Sequence, residues 1–151
     1  MDIETSSLDP FNFQCYCVGV GDEERQYVFV FQKELVELFN RKLFTSGREL
    51  VIHHVQFELS MFAFMGFDVS HCVLKDTMVL AYLLDEKRVR GGYGQKELAR
   101  KVLGYKYWYM VADFNDISKD WLYVYNAEDI YVLRMLYHAL WDMLSQELKE
   151  F

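Results

Sequence analysis

Proline is nearly absent from this chain: Pro10 is the single instance in 151 residues. No proline-rich linker, internal repeat or low-complexity stretch divides the sequence. Cysteine is scarce too, with Cys15, Cys17 and Cys72 and no CxxC pair answered by another. Three thiols make neither an even disulfide framework nor a zinc-ribbon spacing, so reduced cysteines in a cytoplasmic protein are the expectation. No apolar run is long enough to cross a bilayer, and no basic-then-apolar leader opens the sequence. Positive charge is also in short supply, with 16 Lys and Arg against 23 Asp and Glu and a net charge of −7. Strong nonspecific attachment to nucleic acid depends on neutralising phosphates with cationic side chains, and this balance disfavours it. A protein that gathers carboxylates to hold cations escapes the objection, because a bound cation inverts the local electrostatics.

What is present is apolar and aromatic. Hydrophobic residues make up 52% and aromatic residues 17%, against 26% charged, which excludes a disordered chain and fits one compact domain over residues 1–151. Cys15–Gly21 and Tyr27–Phe31 read as strands joined by a turn at Gly21–Glu24. Lys33–Phe44 has a helical rhythm, Leu50–His53 is a short buried strand, and Phe57–Met65 is a helix ended by Gly66. Val73-Leu74 is a brief strand before a helix capped by Asp76. Gly91–Gly94 is the loosest stretch, Gln95–Leu103 another helix, and Tyr105–Asp116 irregular. Ser118–Tyr125 and Asn126–Leu148 are helical, the latter with Ile130, Leu133, Leu136, Leu140 and Leu144 on one side. Strands first and mostly helices afterwards make an α/β layered domain with a mixed sheet.

Asp2 and Glu4, one residue apart on a strand, point to one face. Tyr125 and Asp129, four apart on a helix, also share a face. Brought together, these edges make an oxygen-rich cage for hard divalent cations. Other clusters carry less. His53 and His54 are adjacent on a strand, point opposite ways and do not share a cation, so core or substrate-edge packing is expected. Cys15 and Cys17 read as buried small hydrophobes. The basic group Lys87, Arg88, Arg90, Lys96, Arg100 and Lys101 is interspersed with Asp85, Glu86 and Glu97 and reads as a solvated face. Tyr105, Tyr107, Trp108 and Tyr109 either close the core, expected for at least half of them, or stack on single-stranded bases.

Five segments resemble, in order, the motifs of the DEDD (DnaQ-like) superfamily of 3′–5′ exonucleases. The likeness is to the tyrosine-bearing proofreading domain of family A DNA polymerases. Asp2-Ile3-Glu4-Thr5-Ser6-Ser7-Leu8-Asp9 is close to D-x-E-T-x-x-L-D. His53-His54-Val55-Gln56-Phe57-Glu58 stands where H-N-x-x-F-D is usual, and Tyr125-Asn126-Ala127-Glu128-Asp129 where Y-A-x-x-D is usual. Lys75–Asp85 and Gln95–Gly104 are similar to D-T-M-L-A-x-Y-L-L-D and L-K-x-L-A-x-x-x-L-G. Any one motif is weak; five in register over nearly the whole chain are strong.

The resemblance implies an RNase H-like fold and a metal-dependent 3′–5′ exonuclease releasing nucleoside 5′-monophosphates from single-stranded DNA 3′ ends. Asp2, Glu4, Glu58 and Asp129 are then ligands of two divalent cations, Mg²⁺ or Mn²⁺, and Tyr125 orients the attacking water. Thr5, Leu8, His54 and Phe57 lie on the substrate side, Leu8 packing against the terminal base. The implied setting is a stand-alone enzyme or a proofreading subunit of a separately encoded DNA polymerase, bacterial or phage, in the cytoplasm. Three features depart from the family. Glu58 replaces Asp, His54 replaces Asn, and only Met1 precedes Asp2, which implies either a start further upstream or a truncated, fraying first strand. Glu58 and the truncated first strand motivate one alternative, a catalytically impaired binding or interaction module. An RNase D-like 3′ exoribonuclease is another.

Overall fold

The computed structural model describes residues 1–86, 92–108 and 118–149. Period-two segments at the start build an antiparallel sheet. Strands β1 (Asp2–Thr5), β2 (Cys15–Gly21) and β3 (Gln26–Val30) lie in the order β1-β2-β3. Asp2 faces Gly19 and Glu4 faces Cys17, after which a bulge shifts Thr5 onto Cys15. Strands β4 (Glu49–Ile52) and β5 (Val73–Asp76) pair in parallel. The Met1 amino group donates to the Val51 carbonyl at 2.8 Å and ties the start of β1 to β4. Fraying was the expectation for this strand; instead Met1 is buried and every β1 residue is paired across to β2.

Helix α1 (Lys33–Lys42) and helix α2 (Val55–Met65) cover one side of the strands. Gly66, at φ 85°, ends α2 in the left-handed conformation that a glycine adopts without a Cβ clash. The core on this side is largely aromatic. The Phe67 ring lies 5.4–5.7 Å from those of Phe39, Phe44 and Phe62, edge-on to two and stacked on Phe39. Ile3, Val18, Ile52 and Met61 complete it.

Helices α3 (Thr77–Leu84), α4 (Gln95–Leu98) and α5 (Lys119–Glu147) form the other side. Leu80, Ala81 and Leu98 pack there against Leu136 and Leu140 of α5. The helix expected over Gln95–Leu103 is α-helical for one turn and then widens into a π-helical turn, Ala99–Leu103. The two helical stretches expected near the end are one continuous 29-residue helix, with the Ser118 hydroxyl accepting from Trp121 N–H at its start. Ile130, Leu133, Leu136 and Leu140 are buried on it, as their spacing predicts.

Asp76 joins the halves. Its carboxylate accepts from Met78 N–H at 2.8 Å, the N-cap bond of α3, and also from His54 and Val55 N–H at 3.1 and 2.9 Å. One side chain thus satisfies donors at the starts of two helices.

Candidate metal centre

Alternation on β1 sends Ile3 into the aromatic core and leaves Asp2 and Glu4 facing α5. The helix comes close because β2 offers no side chain at Gly19. A Cβ there would lie 2.0 Å from Ile130 Cδ1 and 2.1 Å from Asn126 Oδ1. Helical spacing then sets Tyr125, Asn126 and Asp129 against β1, all three buried. Asp2, Glu4 and Asp129 each bring a carboxylate oxygen to within 4.8 Å of the others. These acids come from opposite ends of the chain. The cleft at this point measures about 470 Å³, and Asp2, Asp129, Glu58, Tyr125, Lys96, His54 and Phe57 are in its wall.

Removing carboxylates from water and crowding them raises their pKa values. Burial, followed by the charge of Asp129, pushes Asp2 up to about 7. Burial, followed by Asp2 and Asp129, pushes Glu4 up to about 9. Burial also lifts Asp129 to about 6, with Lys96 and the hydroxyls of Tyr107 and Tyr125 opposing the rise. The protein therefore holds more acid here than its own cations neutralise. Tyr125 is raised by burial and by the Asp129 charge, so its hydroxyl stays protonated across the ordinary pH range.

Glu58 is 3% exposed rather than the solvated helix residue that its position, taken alone, suggests. It lines the same cleft but is not one of the three acids that share the 4.8 Å cluster. Burial, followed by the charge of Asp2, raises its pKa well above the usual range. Its Oε2 is buried and, among the described residues, has no hydrogen-bond partner. A carboxyl oxygen with no protein donor, beside three clustered carboxylates, fits a hard divalent cation, which takes oxygen ligands.

Asn126, Gln95 and Lys96, three residues beyond the expected set, build the surroundings. Asn126 Nδ2 donates to Asp2 Oδ2 at 2.8 Å and to Glu4 Oε1 at 3.3 Å. Gln95 Nε2 donates to Asp129 O at 2.9 Å, to Asp129 Oδ1 at 3.2 Å and to Tyr107 OH at 3.2 Å. The Lys96 ammonium donates to the Tyr125 hydroxyl and stands 4.2 Å from the centre of that ring and 5.5 Å from that of Tyr107. The signals were present but indirect. Gln95 and Lys96 open a matched segment, and Asn126 sits in the third motif where the usual residue is alanine.

Of the expected substrate-side residues, His54 and Phe57 lie in the cleft wall with their rings stacked at 6.1 Å. Thr5 turns back, its hydroxyl donating to Ser7 O at 2.9 Å, and Leu8 is 79% exposed on the loop after β1. His53 and His54 are not on the strand as expected, since β4 ends at Ile52, and both line the cleft. His53 Nδ1 is 2.8 Å from Thr77 Oγ1, and burial lowers its pKa to about 4, leaving it neutral. In the basic group Arg100 and Lys101 pair with Glu97, each at 2.9 Å, whereas Lys96 turns inward. Lys87, Arg88 and Arg90 lie outside the described residues. In the aromatic run Tyr105 and Tyr107 are half-buried and Trp108 is 88% exposed, while Tyr109 lies outside the described residues. Cys15 and Cys17 are buried free thiols. No helix among the described residues is long and apolar enough to cross a membrane.

Residues 1–145 match the family described as 3′–5′ exonuclease. The chain is 31% identical over 132 residues to DNA polymerase I of Aquifex aeolicus (strain VF5). That alignment takes in 85% of this chain and only 22% of the polymerase, so the likeness is to one part of a much longer protein. With the match running through the acidic strand at one end and the long helix at the other, this chain belongs to the 3′–5′ exonuclease family, is DnaQ-like, and resembles the proofreading domain of DNA polymerase I.

Proposed function

We propose that this protein is a metal-dependent 3′–5′ exonuclease that releases nucleoside 5′-monophosphates from single-stranded DNA 3′ ends. The observation that carries the reading is the meeting of Asp2, Glu4 and Asp129, with ligand oxygens within 4.8 Å of one another, at a cleft that Asp2 and Asp129 line. These three would hold divalent cations, Mg²⁺ or Mn²⁺, with Glu58 completing a second position from the same wall. Such cations supply Lewis-acid stabilisation of a phosphodiester and a water more acidic than in bulk.

The chain's own groups supply the rest. The Tyr125 hydroxyl, kept protonated, orients a water by hydrogen bonding and takes no proton from it. Lys96 adds the positive charge nearest that hydroxyl and favours a phosphate there. Phe57 and His54 offer stacked rings to a base, and exposed Leu8 is free to pack on the terminal one. The net charge of −7 fits a subunit that draws DNA affinity from a separately encoded polymerase, in the cytoplasm.

Purified protein with a 3′-labelled oligonucleotide tests the reading. Mononucleotide release is expected with Mg²⁺ or Mn²⁺, none with chelator, and a loss of at least about a hundredfold on Asp129→Ala. DNA is expected to be cut faster than matched RNA; the reverse order would indicate an exoribonuclease. A second reading, a binding module with impaired catalysis, is favoured by the place of Glu58 outside the three-acid cluster. Oligonucleotide binding by folded protein, with no release under either cation, would establish it instead.

A further inference from the structure

We propose that Asn126 is a positioning residue of the acidic centre, its buried carboxamide holding Asp2 and Glu4 in the orientation that receives a divalent cation. The inference rests on the metal-dependent reading above and assigns a residue to it.

Asn126 is 0% exposed, so it cannot touch a nucleic acid and acts only through its neighbours. A single nitrogen, Nδ2, lies 2.8 Å from Asp2 Oδ2 and 3.3 Å from Glu4 Oε1. Two N–H bonds are thus matched to two carboxylates that would otherwise repel each other. Each acid gives Asn126 one oxygen, and Asp2 Oδ1 and Glu4 Oε2 stay outside these bonds. The other end of the amide is sacrificed. Asn126 Oδ1 is buried with no partner among the described residues, above Gly19, where an added Cβ would be 2.1 Å from it. Rotating the amide by half a turn would set that oxygen against both carboxylates and leave them without a donor. A buried amide with one unsatisfied end is costly. Here the end that is satisfied is the one that meets both acids.

Placement on α5 makes the device specific. Asn126 follows Tyr125 and precedes Asp129 by three positions, so one stretch of helix carries the tyrosine, the brace and an acid. Packing of α5 against Gly19 fixes all three relative to β1.

Mn²⁺ binding to the whole chain, read by electron paramagnetic resonance, separates the possibilities. Asn126→Ala and Asn126→Leu, the second of similar bulk but without donors, are each expected to weaken Mn²⁺ binding roughly ten- to a hundredfold. Leu136→Ala, which opens the core of the same helix away from the acids, is expected to lose stability and keep wild-type affinity. At saturating Mn²⁺ the two Asn126 variants should retain the wild-type KM for an oligonucleotide, since Asn126 reaches no substrate. Wild-type Mn²⁺ affinity in both Asn126 variants would overturn the proposal, as would an equal loss in Leu136→Ala. Absence of Mn²⁺ binding by the wild-type protein would overturn the metal-dependent reading itself, and this inference with it.

Discussion

Single residues here show where the chemistry of a motif and the geometry of the backbone meet. His54 has φ 60° and ψ 61°, the left-handed conformation, and is the single non-glycine with positive φ among the described residues. Asparagine adopts that conformation more readily than most side chains, because its short amide can bond locally. That gives a physical account of asparagine as the usual residue at this place in the resembling family. Histidine is itself enriched in this region, so His54→Asn is expected to raise stability by less than about 1 kcal/mol, read as a higher urea midpoint with an unchanged slope. An unchanged midpoint would mean that the stacking of His54 on Phe57 offsets the backbone term. Glu58 teaches the converse. Its type and motif position were legible, but its depth was not, since an acid on a helix is solvated unless some other element covers it.

At the scale of elements, the caps and close approaches hold the site together. Asp76 serves the starts of α2 and α3 at once, and α2 carries Glu58 and Phe57. Losing a cap costs about 0.5–2 kcal/mol, so Asp76→Ala, which removes two, is expected to cost roughly 2–3 kcal/mol. Thermal unfolding measures the loss, and a cost below about 1 kcal/mol would show that water replaces the carboxylate at one helix. The strand and helix types were legible from periodicity, and Asp76 and Gly66 were read as punctuation from their chemistry alone. The joining of Ser118–Tyr125 to Asn126–Leu148 was not, because residue propensities around Asn126 are too weak to say whether a helix continues. The π-helical turn after Leu98 was also not legible, since its apolar residues keep a helical rhythm whichever backbone bonds form.

For the molecule as a whole, crowded acids tie stability to pH. Asp2, Glu4 and Asp129 have ordinary values of 3.8, 4.5 and 3.8 and are raised in the fold to about 7, 9 and 6. The folded state then binds more protons than the unfolded one between about pH 4 and 9, so their contribution to stability is lost as pH rises through that window. His53 has the opposite sign. Its value falls from 6.5 to about 4, so the stability it gives as a neutral ring is lost as pH drops through that interval. Metal-free protein is accordingly expected to unfold more easily toward pH 9, and excess Mn²⁺ to restore much of that loss, because a ligand of the native state alone stabilises it. Denaturation midpoints against pH, with and without Mn²⁺, measure this. A midpoint that rises from pH 6 to 9 without metal would contradict the crowding of the acids.

The amino-acid sequence by itself determined the local terms: which segments are strands or helices, and which acids share a face of each. Those follow from side-chain periodicity and from turn and cap chemistry over a few residues. Beyond the meeting of Asp2 and Glu4 with Asp129, which the family resemblance implies, tertiary structure alone decided what those faces meet. Asn126 reaches Asp2 across 124 positions, Gln95 reaches Asp129 across 34, and Lys96 leaves the basic face for the tyrosines. No local rule encodes such pairs, because they depend on how near α5 can come to β1, and that distance is set by the missing side chain at Gly19.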